Sequence, residues 1–103
     1  INWLIGLEYK TTSEQLKNIK NQIENFIKNS KHFSSSGDTF LSVKIDQFAA
    51  SSIDIRLICF TETTNYLEWM SVKDILAIEI KAIVEKNNAS FAFPSTSIYV
   101  EKQ

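Results

Sequence analysis

The side chains best suited to nucleophilic or metal chemistry in this 103-residue chain are one histidine, His32, and one cysteine, Cys59. A Cys–His pair or a metal site needs several such groups at matched spacing. His32 follows a predicted helix beside Lys31, whereas Cys59 lies within a predicted strand. We therefore interpret His32 as a surface side chain near a helix end and Cys59 as a small buried hydrophobe.

The carboxylates do not form a catalytic pattern either. Asp46 and Asp54 flank a predicted hairpin, where they either face each other or solvate the sheet edge. The two glycines, Gly6 and Gly37, are too few for a phosphate-binding loop. We predict no catalytic residue, no metal and no cofactor.

Composition and charge exclude several further classes of function. The chain has 11 basic and 12 acidic residues and a net charge of −1, so it lacks the basic excess of a nucleic-acid-binding protein. Its longest apolar run, Trp3–Leu7, is far shorter than the roughly 20 residues of a membrane span. The chain has no basic segment typical of a signal peptide and begins with Ile1, so we expect a fragment of a longer protein.

Residue periodicity predicts three strands at the start and in the middle of the chain. Apolar residues alternate within 3–9, 39–48 and 53–61. A short turn joins the last two, which predicts an antiparallel hairpin. Ser34–Asp38 is the clearest loop signal.

Two helices and a last strand complete the pattern. Thr11 or Thr12 can start the first helix through a capping box, and it continues for about 18 residues. The second helix starts near Asn65 and ends at Asn87-Asn88, because Asn tolerates the left-handed conformation. Ser97–Val100 is predicted as a short final strand.

The order βαββαβ predicts an α+β, ferredoxin-like fold. Right-handed crossovers place both helices on one face of a four-stranded sheet. The other face is left to solvent or to a partner. The predicted core comprises Leu16, Ile23, Phe26, Ile45, Ile55, Leu57, Leu76 and Ile80.

Apolar residues are present in excess of what one core needs. On the second helix, Leu67, Ile75, Ile78 and Ala82 lie opposite the stripe that packs on the sheet. On the hairpin, Phe40, Phe48, Ile58 and Phe60 are predicted to point away from the core. Monomers rarely expose large contiguous apolar patches, so these two sets are candidate subunit interfaces.

Five segments in this order are similar to one known family. They are Tyr9-Lys10-Thr11-Thr12, Phe48-Ala49-Ala50-Ser51-Ser52-Ile53, Ile58-Cys59-Phe60-Thr61, Glu68-Trp69 and Ser90-Phe91-Ala92-Phe93-Pro94-Ser95-Thr96. Together they resemble the C-terminal cytoplasmic domain of the small-conductance mechanosensitive (MscS) channel family, over essentially the whole chain.

This resemblance implies a homoheptameric membrane channel that opens under tension during hypo-osmotic shock. It implies that the membrane-spanning helices precede Ile1, at the inner membrane. The C-terminal domains of such channels pack side by side into a cytoplasmic vestibule, with no catalysis and no cofactor. The chain departs from the family pattern at Ser34–Gly37, and at Gln103, where some relatives continue into a strand that closes a small barrel.

Two other classes of function share the predicted topology. A soluble regulatory domain would bind a small molecule between ferredoxin-like subunits, but a glycine-rich turn after the first strand, which would favour it, is missing. An acylphosphatase-like enzyme would need an arginine in that loop, and the one arginine, Arg56, lies in a strand. Fold alone does not decide among these classes.

Overall fold

A computed structural model describes residues 1–33, 41–63 and 65–92 of the chain. These residues form two helices and three strands. The elements are β1 (Asn2–Leu7), α1 (Ser13–Lys28), β2 (Ser42–Phe48), β3 (Ile53–Ile58) and α2 (Tyr66–Lys86). The predicted loop at Ser34–Asp38 and the predicted final strand at Ser97–Val100 lie outside the described residues. The α+β class is confirmed.

The three strands form one antiparallel sheet in the order β1-β3-β2. The β2–β3 hairpin is confirmed, and a turn in which the Ala49 amide donates to the Ser52 carbonyl at 2.8 Å closes it. Because β3 lies between β1 and β2, α1 connects two strands that are not neighbours. Residues 90–92 lie antiparallel on the free side of β1, through a bridge between Leu7 and Phe91.

One core joins the sheet and both helices. Period-two alternation places every second strand side chain on the helix-covered face, and helical spacing places the apolar stripe of each helix against it. The fully buried members are large aliphatic side chains and one thiol: Leu7, Ile19, Ile23, Ile55, Leu57, Leu76, Val84 and Cys59. Six of the eight predicted core residues are buried as expected.

The other two predicted core residues, Phe26 and Ile45, differ from the prediction. Phe26 is partly buried, because it lies at the rim of the core beside α2. Ile45 is exposed, although its cross-strand partner Ile55 is fully buried. Ile45 is exposed because β2 is an outer strand of the described sheet, and the helices cover this strand less completely than they cover the central strand β3.

A capping box starts α1. The Thr12 hydroxyl accepts from the Gln15 amide at 3.1 Å, and the Gln15 side chain accepts from the Thr12 amide at 2.7 Å. The Gln15 side-chain nitrogen also donates to the Asn87 carbonyl at 2.8 Å, which ties the start of α1 to the end of α2. The predicted start of the helix is thus confirmed, with Thr12 rather than Thr11 as the cap.

Replacing Thr12 with alanine is expected to lower the free energy of unfolding by about 1 kcal/mol, because the first turn of α1 loses its acceptor. Urea denaturation of the variant measures this. The Thr12→Ser variant is the control, since it keeps a hydroxyl at the same position and should lose much less. Equal losses in both variants would show that the capping oxygen contributes nothing.

The helix α2 begins and ends on asparagines. The Asn65 side chain accepts from the Glu68 amide at 3.0 Å at its start. Asn88 has a φ of 61°, and the Ala89 amide donates back to the Val84 carbonyl at 3.1 Å. This is the left-handed ending that Asn tolerates, so the predicted end of the helix is confirmed.

Candidate subunit interface

The outward face of α2 carries the predicted apolar stripe. Leu67 is 75% exposed and Ile78 is 63% exposed, and Ile75 and Ala82 are also exposed. At 100° per residue these positions lie on the side of the helix away from its buried stripe. They therefore form an exposed apolar strip, with Ser71 between Leu67 and Ile75, and Ile75 at its edge also lines a cleft next to α1.

The hairpin candidates are more scattered. Phe48 is 69% exposed and Phe60 is 51% exposed, whereas Ile58 is partly buried. Phe40 lies outside the described residues. Phe48 lies at the hairpin end of β2 and Phe60 beyond the far end of β3, so these side chains do not form one patch.

A β-bulge changes the face on which Phe48 lies. Ile45 pairs with Ile55, but Gln47 pairs with Asp54 and Phe48 with Ile53, so Asp46 is the extra residue. Directly opposed residues share a face of the sheet. Phe48 is therefore on the core face with Ile53, not on the opposite face as its position in the sequence predicts. It is exposed because β2 is an outer strand of the described sheet, whereas Ile53 on the central strand β3 is buried.

The open face of the sheet is mainly polar at its centre. The Arg56 guanidinium donates to the Asn2 side chain at 2.8 Å and lies 3.4 Å from an Asp46 carboxylate oxygen. Leu4 is an exposed apolar side chain opposite Arg56 on this face. An apolar partner is therefore better accommodated by α2 than by this face.

Asp54 is a buried carboxylate beside this polar centre. The Ser52 hydroxyl donates to it at 2.6 Å and the Gln47 side-chain amide at 3.0 Å. These hydrogen bonds lower the pKa of Asp54; burial opposes the shift and the Arg56 charge adds to it. Gly6 leaves room for the carboxylate, since a Cβ there would lie 3.3 Å from an Asp54 oxygen.

Sequence reasoning placed Asp46 and Asp54 facing each other or solvating the sheet edge, but they have different roles. Asp46 is exposed and pairs with Arg56, whereas Asp54 is held by its own strand and the facing one. The sequence feature that could have predicted the hydrogen-bonded role of Asp54 is the spacing of Ser52 and Asp54, two residues apart at the start of a strand. Both groups stabilise the hairpin that carries Phe48.

The predicted reactive residues lie apart in the structure. Cys59 is buried, and burial raises the pKa of its thiol. His32 lines two shallow clefts beside α2, both also lined by Ile75. One, of about 540 Å³, lies between α2 and residues 31–32 and 62–63; the other, of about 620 Å³, lies between α1 and α2. Across residues 1–33, 41–63 and 65–92, no three metal-binding side chains are grouped to hold an ion.

Residues 1–91 match the family described as mechanosensitive ion channel MscS, C-terminal. The chain belongs to the MscS family. A further resemblance is to an uncharacterized MscS family protein of Aquifex aeolicus, 35% identical over 99% of this chain and 27% of that protein. The low conductance mechanosensitive channel YnaI of Escherichia coli is 34% identical over 98% of this chain and 29% of its own length.

An MscS family protein of Helicobacter pylori is 38% identical over 94% of this chain and 20% of its own length. This MscS domain thus spans less than a third of the relatives it matches. Neither of the two helices that the structure describes is long and apolar enough to cross a membrane. The family is one of mechanosensitive channels, so the predicted class of channel-associated domain is confirmed.

Proposed function

We propose that this MscS domain is a wall segment of the cytoplasmic vestibule of a tension-gated channel that protects cells against hypo-osmotic shock. The family match over residues 1–91 and the exposed apolar strip on α2 support this function. The domain then acts through assembly rather than catalysis. Its copies would surround the path of ions on the cytoplasmic face of the inner membrane, as a single C-terminal domain covering residues 1–103.

The proposed fold of this wall segment is the complete ferredoxin-like sheet, with Ser97–Val100 as its fourth strand. Two hydrogen bonds already join residues 90–92 to β1 and the residue after it: the Glu8 amide donates to the Ser90 carbonyl at 3.0 Å, and the Ala92 amide donates to the Gly6 carbonyl at 2.9 Å. A largely apolar cleft of about 310 Å³ follows the same edge, lined among others by Trp3, Ile80 and Phe91. A strand that continued from residue 92 would cover it.

The proposed assembly is a ring of seven copies. Contacts around a ring are heterologous, so each copy needs two different surfaces. The candidates remain the α2 strip with Leu67, Ile75 and Ile78, and the hairpin set with Phe40, Phe48, Ile58 and Phe60. The observation that carries the assembly function is that large apolar side chains are exposed on both elements.

Ring assembly is tested by placing glutamate on each surface of the longer channel protein, as Ile78→Glu and as Phe60→Glu. Both side chains are more than half exposed, so the domain itself should keep its thermal unfolding temperature. At least one variant is expected to lose the native oligomer in native mass spectrometry, because a buried unpaired charge opposes association. Lys17→Glu on α1 is the control for an exposed charge change.

Two outcomes would contradict this assignment. Unfolding of a variant domain would place its residue in the core rather than on a surface. Stable domains with an undisturbed oligomer in both variants would exclude both surfaces from the ring.

A further inference from the structure

Between Ser71 and Ala82 the α2 strip is nearly symmetric about its own middle; Leu67 lies outside this stretch. From Ser71 to Ala82 its outward positions are Ser71, Ile75, Ile78 and Ala82, all exposed, with spacings of four, three and four residues. This is the spacing of a seam between two packed helices. The side chains are small at both ends and large in the middle, so their order of size is almost the same in both directions along the helix.

A strip of this kind matches a second copy of itself in the antiparallel direction. With the two-fold axis passing between Leu76 and Ala77, Ile75 packs against Ile78 of the second copy and Ser71 against Ala82. An isologous contact requires this reciprocity, in which residue i meets j and j meets i. Small residues at both ends let the two helices approach closely while the isoleucines fill the centre.

The charges beside the strip have the same symmetry. Asp74 and Lys81 are both exposed and lie seven residues apart along one side of it. Lys81 also pairs with Glu85 of its own helix, so in the dimer it would be shared between two carboxylates. In the antiparallel pair, Asp74 of each copy lies opposite Lys81 of the other, which gives two complementary ion pairs. A parallel two-fold pair would instead place Asp74 on the side of Glu79 of the other copy, where the charges are alike.

We propose that α2 joins two copies of this domain in an antiparallel, isologous contact through Ser71, Ile75, Ile78 and Ala82, with Asp74 and Lys81 as flanking ion pairs. A seven-membered ring has no isologous contacts, so this contact lies outside the ring. It pairs domains of two different rings, or two copies of the 103-residue chain. It goes beyond the proposed vestibule function and is an alternative to the use of the α2 strip in the ring: if it is correct, the ring contacts come from the hairpin set and other surfaces.

A charge exchange on the 103-residue chain tests the proposal. The Asp74→Lys variant places two lysines opposite each other twice per dimer, and Lys81→Asp does the same with carboxylates. Each single variant is expected to raise the dimer dissociation constant, measured by sedimentation equilibrium, about tenfold. The double variant D74K/K81D should restore the original value, because the pairs re-form with opposite sign. Lys17→Asp on α1 matches the charge change of K81D and should leave dimerisation unchanged.

A cross-linking experiment tests the register. Oxidation of a mixture of Ser71→Cys and Ala82→Cys chains is expected to link unlike chains, whereas either variant alone stays largely unlinked. Cys59 is buried and does not compete. A wild-type chain that stays monomeric up to about 1 mM, where association contributes only about 4 kcal/mol, would overturn the proposal. So would a double variant no tighter than the singles, or cross-linking of like chains.

The Ile78→Glu variant distinguishes a failure of the isologous contact from a failure of the ring assembly. If Ile78→Glu abolishes the dimer of the chain but leaves the native oligomer of the longer channel intact, the isologous contact is supported. If the same variant breaks the oligomer, the strip belongs to the ring and the isologous contact is wrong.

Discussion

Replacing Leu76 with alanine is expected to lower the free energy of unfolding by about 2–5 kcal/mol. Leu76 is fully buried on the face of α2 that packs on the sheet, so its truncation leaves a cavity between the two layers. For a domain of this size the change corresponds to a fall in melting temperature of more than about 8 °C. Urea denaturation and differential scanning calorimetry measure the two quantities.

The matched control is Ile78→Ala, two residues further along the same helix. Ile78 is exposed, so its truncation creates no cavity and should change the stability by about 0.5 kcal/mol or less. Similar losses in both variants would mean that the helix is rotated from the orientation described, and that both faces are equally buried.

Acid stability is expected to depend on Asp54. Its pKa is lowered in the folded chain, whereas the pKa of an unfolded aspartate is about 3.9. The stabilisation from its charged form is therefore fully present above that value and is lost as the pH falls through the folded pKa. The Asp54→Asn variant is expected to be less stable at pH 7, by about 1–3 kcal/mol, and to lose less further stability on acidification.

Urea denaturation at neutral pH and at about pH 3 tests this difference. The control is Asp46→Asn, which removes an exposed carboxylate from the same hairpin and its pairing with Arg56. Exposed ion pairs contribute about 0–1 kcal/mol, so this variant should stay close to the wild type. An Asp54→Asn variant with the same loss on acidification as the wild type would contradict the assignment.

Local patterns were sufficient to predict the two helices and the three strands that the structure describes. The capping oxygens of Thr12 and Asn65, the alternation in the strands and the left-handed ending at Asn88 all act within a few residues. Both helices and the hairpin could therefore be placed from the sequence. The strand ends were less accurate: β1 ends at Leu7 and leaves Tyr9 exposed, because the side-chain pattern continues past the last paired residue.

The errors on the hairpin have a non-local cause. Alternation assumes regular pairing, and nothing in the residues near Asp46 shows that one of them is left unpaired against β3. The extra residue therefore reverses the predicted face of Phe48. The exposure of Ile45 likewise depends on how far the helix layer extends, which the strand sequence does not contain. The outward α2 strip was predictable, because helix phase alone separates it from the core stripe.

The bulge at Asp46 also affects how copies of this domain avoid the wrong association. Among the described strands, β2 pairs only with β3. The amide and carbonyl groups on its other side are not paired with a described strand, and such edges can pair with a strand of another molecule. A bulge kinks and twists an edge so that a second strand cannot pair along its whole length, and charged Lys44 and Asp46 lie beside it. In the proposed assembly, which would hold many copies close together, this protection against edge-to-edge aggregation would favour contacts through side-chain surfaces, such as the one we propose on α2.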